Sequence, residues 1–319
     1  MPTTKWETKS RSPSSLLPDP FRRDRPNRQE GSPPTGDLFR PKRFLGQNFL
    51  VDRRAQERIV RALGAGAEDD VVELGPGRGA LTQHLIGRVR RLRLVELDRR
   101  LAAEWRRVLA DRDGSTVTVV EGDMLEKDLH HAFPEPEAAF VIGNLPYNIT
   151  SPVIFRLLER PRPRAAVLTV QAEVAERLTA HPGAGPYGAL SVGVQAVADC
   201  RLLFRLPPGA FHPRPKVRSA VVRVSPIKPP PLSEYRERSL RKVVRASFSW
   251  RRKQLGRTLA RHPDLALGRS SAAELLGRLG IAPDARPETL SPPQFIALAD
   301  QIDAAVGPLP APVRRSPNR

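Results

Sequence analysis

The chain has 319 residues, of which 39% are hydrophobic and 5% aromatic, and 53 Lys and Arg against 34 Asp and Glu leave a net charge of +19. That length holds one large or two modest domains with ample core, and the charge asks for a polyanionic partner, nucleic acid before an anionic membrane. No run approaches the roughly 18 apolar residues of a membrane span, and the single Cys200 excludes a disulfide framework or a cysteine metal site.

Residues 1–40 are rich in Pro, Ser and Arg without sustained periodicity and are expected to be a disordered basic extension. No apolar stretch follows their basic residues, which argues against a signal peptide, and Glu7, Asp19, Asp24 and Glu30 argue against a transit peptide. From residue 52 the pattern alternates. "DRRAQERIVRAL" (52–63) reads as a helix, "DVVELG" (70–75) as a strand and "ALTQHLIGR" (80–88) as a helix. "RLRLVELD" (91–98) follows as a strand, "RLAAEWRRVLA" (100–110) as a helix, and "TVTVVEGD" (116–123) and "AAFVIGN" (138–144) as two more strands. "SPVIFRLLER" (151–160) is helical, "RAAVLTVQ" (164–171) a strand and "AEVAERLTA" (172–180) a helix. Strands alternating with helices predict an α/β fold with a parallel sheet covered on both faces. Ligands of such sheets bind beyond the carboxyl ends of the strands.

After about residue 205 the character changes. "SLRKVVRASFSWRRKQLGRTLARH", "SAAELLGRLG" and "SPPQFIALADQI" read as helices with no strands between them. This places a sheet domain over residues 41–226, a small helical domain over 227–305 behind the stiff "PIKPPPL" linker, and a tail over 306–319. Residues 205–262 carry 16 basic and two acidic residues, +14 of the total +19. The six histidines (84, 130, 131, 181, 212, 262) lack metal-ligand spacing, and adjacent residues such as His130 and His131 point apart on a helix. A metal-free, cytoplasmic protein is expected.

Three successive strand ends carry candidate ligand groups. "VVELGPGRGALT" (71–82) sets Gly75, Gly77 and Gly79 between a strand and a helix, where glycine allows a tight turn and close approach of a ligand. The G-x-G-x-G spacing differs from the dinucleotide fingerprint and, alone, is a weak signal that a turn with no ligand could also give. Glu96, 19 residues beyond Gly77, is placed to accept both hydroxyls of a ribose. Asp123 is placed to accept from an exocyclic amine such as adenine N6. No Lys-Ser/Thr follows the glycines to hold phosphates, so S-adenosylmethionine fits this set better than NAD or ATP.

The next strand end is "GNLPY". An adenine N6 is a poor nucleophile because its lone pair is delocalised into the ring. Two acceptors aimed at its hydrogens, the Asn144 side-chain oxygen and the Leu145 carbonyl, would favour a pyramidal nitrogen. Pro146 fixes that carbonyl, and Tyr147 offers a face on which an extruded base can stack. The alternative for Asn144 is a cap for the helix opening at "SPVIF".

"NLPY" resembles the motif of amino-methyltransferases, and "KRFLGQNFLVD" (42–52) resembles the opening of the ribosomal RNA adenine N6-dimethyltransferases. "VQAEVAERL", "YGALSVGVQ", "FHPRPKVRSAVVRV", "RRKQLGRTL" and "RPETLSPPQF" resemble the small-subunit (16S) branch of that family rather than its macrolide-resistance branch. The likeness spans about residues 41–302. The basic extension is a departure, and so is "FSWRRKQLGRTL" against the family's usual "F.QRRK.LRN.L". The resemblance implies a Rossmann-like methyltransferase fold, S-adenosylmethionine as methyl donor, and dimethylation of two adjacent adenines in a hairpin near the 3′ end of 16S rRNA, in ribosome biogenesis. It implies that Asn48 and Leu50 close over the cofactor, that Gly75, Glu96, Asp123 and Asn144 contact it, and that Phe211 sandwiches the target base against Tyr147. By itself Phe211 reads more readily as a core residue. Arg251, Arg252 and Lys253 are the candidate RNA-phosphate contacts, and the small ribosomal subunit is the expected partner of a monomeric enzyme. Three rivals remain: a 23S rRNA adenine methyltransferase of the Erm type, a protein-glutamine methyltransferase with a related Asn-Pro-Pro-Tyr motif, and a non-catalytic nucleic-acid binder.

Overall fold

The structure is a computed structural model and describes residues 48–110, 116–126, 135–250, 253–265 and 267–306. The N-terminal extension, Arg251 and Arg252, His130 and His131, and the C-terminal tail all lie outside the described residues. The chain runs β1 (Phe49–Leu50), α1 (Arg53–Leu63), β2 (Asp70–Leu74), α2 (Thr82–Leu85), β3 (Arg91–Glu96), α3 (Arg99–Ala110), β4 (Val117–Glu121) and β5 (Phe140–Asn144). It continues with α4 (Thr150–Leu157), β6 (Ala165–Gln171), α5 (Ala172–Thr179), α6 (Ala189–Gln195), β7 (Ala198–Leu206), β8 (Phe211–His212) and β9 (Ser219–Pro226). Four helices close it: α7 (Glu234–Ser249), α8 (Leu255–Arg261), α9 (Arg269–Arg278) and α10 (Pro292–Val306).

Seven strands form one sheet in the order β4-β3-β2-β5-β6-β9-β7. The first five are parallel, whereas β9 pairs antiparallel with β6 and β7 antiparallel with β9. The sheet is therefore mixed rather than parallel throughout, and β7, β9 and α6 add to the elements read from sequence. β2 is buried along its whole length, as the unbroken apolar run of a central parallel strand requires. Its residues alternate between two cores: Val71 joins Phe140, Ile142, Ile59 and Trp105 on one face, and Val72 and Leu74 join Val141, Val153 and Leu168 on the other. The second of these cores continues without a break into Leu240, Val243, Leu259, Leu276, Phe295 and Ile302 of α7–α10.

The chain winds outward from β2 through β3 to β4, then returns to the other side of β2 as β5. That reversal makes a crevice at the carboxyl ends of β2 and β5, where open α/β sheets bind ligands. The register aligns the candidate groups there, because Leu74 pairs with Gly143 and with Val95, and Glu96 pairs with Glu121. Gly143 is required for the packing. A Cβ at this position would lie 2.9 Å from the Leu74 carbonyl.

Two helices differ from the sequence expectation. The 80–88 helix is one turn, Thr82–Leu85, because Ile86 already has extended ψ of 127°. The run 239–262 is two helices. α7 starts earlier, where Ser233 Oγ accepts from Arg236 N, and ends at Ser249, with Trp250 at φ −112°, ψ 45°. α8 opens after an extended Gln254, and its first free N–H groups are taken by the segment after α9: Leu255 N donates to the Ala285 carbonyl at 2.7 Å. α7 is tied to the sheet domain by Glu237, a buried carboxylate in its first turn that accepts from Arg160 and from the buried Arg162.

Candidate active site

The glycine turn is built first. Gly75, Gly77 and Gly79 have φ of +65°, +53° and +83°, the left-handed region that only glycine enters without strain. The loop is gripped from both sides. Trp105 of α3 donates from Nε1 to the Gly77 carbonyl at 3.0 Å, and a Cβ on Gly79 would lie 2.7 Å from the Trp105 ring. On the other side the Phe49 ring would lie 3.2 Å from a Cβ on Gly77.

Glu96 ends β3 with its carboxylate turned to this loop. One oxygen accepts from Gly77 N at 3.0 Å and the other from Asp98 N at 2.9 Å. Burial pushes the Glu96 carboxyl above its ordinary range, and the two N–H donors pull it back. Glu73, two residues before the loop, is buried, has one oxygen without a partner, and is pushed up to about 8 by burial and then by the nearby Glu96. Beyond β4, Asp123 is half-buried and accepts from Leu125 N at 2.8 Å. Leu97, 43% exposed, presents an apolar side chain directly after Glu96.

At the end of β5, Asn144 is half-buried and its Nδ2 donates to the Asn48 carbonyl at 2.8 Å. This bond fixes which end of the amide faces which way, and leaves Oδ1 to accept. Leu145 is buried, with its N–H on the Thr169 carbonyl at 3.2 Å, while the Pro146 carbonyl accepts from Thr150 Oγ1. Asn144 therefore does not cap α4; the N-cap residue of that helix is Ile149. Tyr147 is half-buried, its hydroxyl 2.6 Å from Ser219 Oγ at the start of β9.

The short β1–β8 ladder joins these parts, pairing Leu50 with Phe211 and Phe49 with His212, while Val51 N donates to the Ala210 carbonyl. The structure thus brings together Asn48, Gly75, Glu96, Asp123 and the Asn144–Tyr147 turn. Two residues that the resemblance assigned to contacts, Leu50 and Phe211, have buried side chains. Leu50 is buried, with its carbonyl accepting from Gln56 Nε2, and Phe211 is 2% exposed within the core that holds Leu206 and Val221. Phe49, Leu97, Trp105 and Ser219 carry parts of the site that the sequence did not single out. Only the alternation of "NFL" hints at Phe49.

The set of groups fits S-adenosylmethionine. Carboxylates at Glu96 and Asp123 and carbonyls at the loop offer acceptors to ribose hydroxyls and amines, and the same charges disfavour a polyphosphate. Among the described residues, no group of three His, Cys, Asp or Glu could hold a metal ion. No helix among them is long and apolar enough to cross a membrane. Exposed basic groups follow β8 and precede α8. The turn joining β8 to β9 exposes His212, Arg214, Lys216 and Arg218 between Phe211 and Ser219. Lys253 is exposed ahead of α8.

Residues 38–303 match the family model described as ribosomal RNA adenine dimethylase. The chain belongs to that family. It is 42% identical over 264 residues to the ribosomal RNA small subunit methyltransferase A of Acinetobacter baylyi, covering 82% of this chain and 92% of that protein. It is also 42% identical over 275 residues to the protein of the same name from Geobacter metallireducens, covering 85% and 99%. Among solved structures, a dimethyladenosine transferase from Plasmodium falciparum superimposes with a TM-score of 0.70 at 24% identity, covering 81% of this chain and 98% of that one. The 23S rRNA methyltransferase ErmE superimposes with a TM-score of 0.60 at 29% identity, covering 80% and 100%. The family fold, an α/β methyltransferase sheet followed by helices, is the one seen here.

Proposed function

We propose that this family member dimethylates N6 of two adjacent adenines in a hairpin near the 3′ end of 16S rRNA, in the small ribosomal subunit, using S-adenosylmethionine. It acts as a monomer in the cytoplasm, as a step of ribosome biogenesis. The small-subunit assignment is supported by relatives at 42% identity that carry that name, against 29% for the 23S enzyme.

The observation that carries the chemistry is the Asn144 amide. Its Nδ2 is committed to the Asn48 carbonyl, which leaves Oδ1 to accept, and Pro146 restricts the turn that presents the Leu145 carbonyl as the second acceptor. An adenine amino group entering there meets two acceptors, one for each hydrogen. Pyramidalisation of the nitrogen concentrates its lone pair on the side facing the glycine loop. The bound cofactor supplies a methyl group on a positively charged sulfur. The protein's work is positioning and dipole orientation, and no strong base is needed, because the alkylated nitrogen gives up its proton readily. Tyr147 holds the extruded base by stacking, its ring anchored through Ser219.

For the cofactor, Glu96 accepts from the ribose hydroxyls with the lone pairs not used by Gly77 and Asp98, Asp123 accepts from adenine N6, and Leu97 covers an adenine face. Gly75 and Asn48 line the methionine end. The Arg214–Arg218 turn and Lys253 neutralise RNA phosphates, which fixes register without reading sequence. Calorimetry on Glu96→Ala tests the cofactor assignment. Binding of S-adenosylmethionine should weaken by about 1–3 kcal/mol, the scale of lost hydrogen bonds to a charged group. Unchanged affinity in the folded variant overturns it.

A further inference from the structure

Building on this RNA-directed function, we propose that Trp250 is a second base-binding site: a stacking platform for an unpaired RNA nucleotide, separate from the pocket that takes the target adenine. Trp250 follows the last residue of α7 and is 38% exposed, one of few large apolar side chains on the surface among the described residues. A single exposed apolar residue is ordinary. What sets this one apart is that it is braced and that basic residues predominate around it.

The brace is His262, whose ring centre lies 5.2 Å from that of Trp250 at an angle of 58°. The imidazole accepts at Nδ1 from Asp264 N at 3.2 Å, which assigns the proton to Nε2, 3.0 Å from Ser249 Oγ. Ser249 Oγ donates in turn to the Ala246 carbonyl at 2.8 Å. Both ring nitrogens are engaged, so the imidazole is fixed and the indole leans on a fixed edge. An aromatic held this way loses little freedom when a base stacks on it.

The basic surroundings come from α7. Arg238, Arg241 and Arg245 are exposed at i, i+3 and i+7, and the same stripe reaches Ser249 one turn later. At 1.5 Å per residue the three guanidiniums span about 10 Å of helix, a length over which a nucleic-acid backbone presents successive phosphates. From Arg238 to His262 inclusive the sequence has nine Lys and Arg and no Asp or Glu, with Glu234, 3.8 Å from Arg238, and Asp264 flanking the run. A positive track ending on an aromatic face is the arrangement that binds single-stranded nucleic acid. Only an unpaired base can use it, because bases inside a duplex have both faces covered by their neighbours.

The test uses the full chain carrying Trp6→Phe, so that emission comes from Trp250 and the buried Trp105. Titration with single-stranded oligoadenylate should quench the exposed indole. Trp250→Gln should raise the oligoadenylate dissociation constant about tenfold, a typical loss for one stacked base, and Trp250→Phe should restore most of it. S-adenosylmethionine affinity and the salt slope of RNA binding should not change, because no cofactor or phosphate contact is removed. Absence of quenching despite RNA binding, or equal affinity of the Trp250→Gln and parental chains, overturns the platform while leaving the methyltransferase assignment intact. A parental chain that binds no RNA at all instead overturns the function on which the platform rests.

Discussion

At the scale of single residues the site depends on two groups whose orientation is fixed by neighbours. In the proposed mechanism Asn144 acts through an amide whose orientation is held by the Asn48 carbonyl. Asn144→Ala should therefore lower the methylation rate far more than it weakens RNA binding, measured by single-turnover methyl transfer beside an RNA titration. Equal losses in the two assays would mean that Asn144 holds RNA rather than the reacting amine. Tyr147→Phe removes the hydrogen bond to Ser219 and should cost about 1 kcal/mol of stability with mild loss of rate. Tyr147→Ala removes the stacking face and should be severe. If both variants lose activity equally, the hydroxyl rather than the ring carries the role.

Glu73 makes a pH prediction. Its carboxyl is raised from 4.5 to about 8, by burial first and by Glu96 second. A carboxyl raised on folding stabilises the native state below its unfolded pKa, and that contribution is lost as pH rises through the folded value. Glu73→Gln does not titrate. Relative to the parental chain its melting temperature should rise progressively between about pH 5 and pH 8. Parallel profiles would show that Glu73 does not change its protonation state in this range.

At the scale of elements, the glycine turn is a joint held by α3 as much as a ligand cradle. Gly79→Ala forces a Cβ to 2.7 Å from the Trp105 ring at φ +83°. It should destabilise the protein by roughly 1–3 kcal/mol and weaken cofactor binding, because Trp105 also holds the Gly77 carbonyl. Denaturant unfolding and calorimetry on the same variant check both effects, and loss of stability with intact cofactor affinity would uncouple the turn from the site. The four strand ends that carry the candidate ligand groups were legible in sequence because parallel strands buried on both faces appear as unbroken apolar runs stopped by glycine or a polar residue. β7 and β9 were less legible, since their register slips at Leu202 and Phe204 and their order reverses the chain direction. The break between α7 and α8 was hidden because the carbonyls of residues 283 and 285 that stabilise it come from a distant segment. The burial of Leu50 and Phe211 follows from the β1–β8 ladder, a pairing of residues over 160 positions apart that no local pattern announces. The same ladder explains why Phe49, rather than Leu50, lies on the glycine loop.

At the scale of the whole molecule, the charge is unevenly placed. Residues 205–262 carry +14 of the +19, and they include both the exposed turn joining β8 to β9 and the helices beyond it. The arrangement suits a hairpin gripped along its backbone while one base is drawn out. The core shared between the sheet and α7–α10, and the Glu237 clasp to Arg160 and Arg162, let the two parts present one surface to the RNA. The most direct test of the central claim is incorporation of radiolabelled methyl from S-adenosylmethionine into small subunits whose adenines are unmodified, compared with large subunits and free RNA. The account predicts incorporation into small subunits, ending as dimethyladenosine at two adjacent positions. Incorporation confined to large subunits would contradict it.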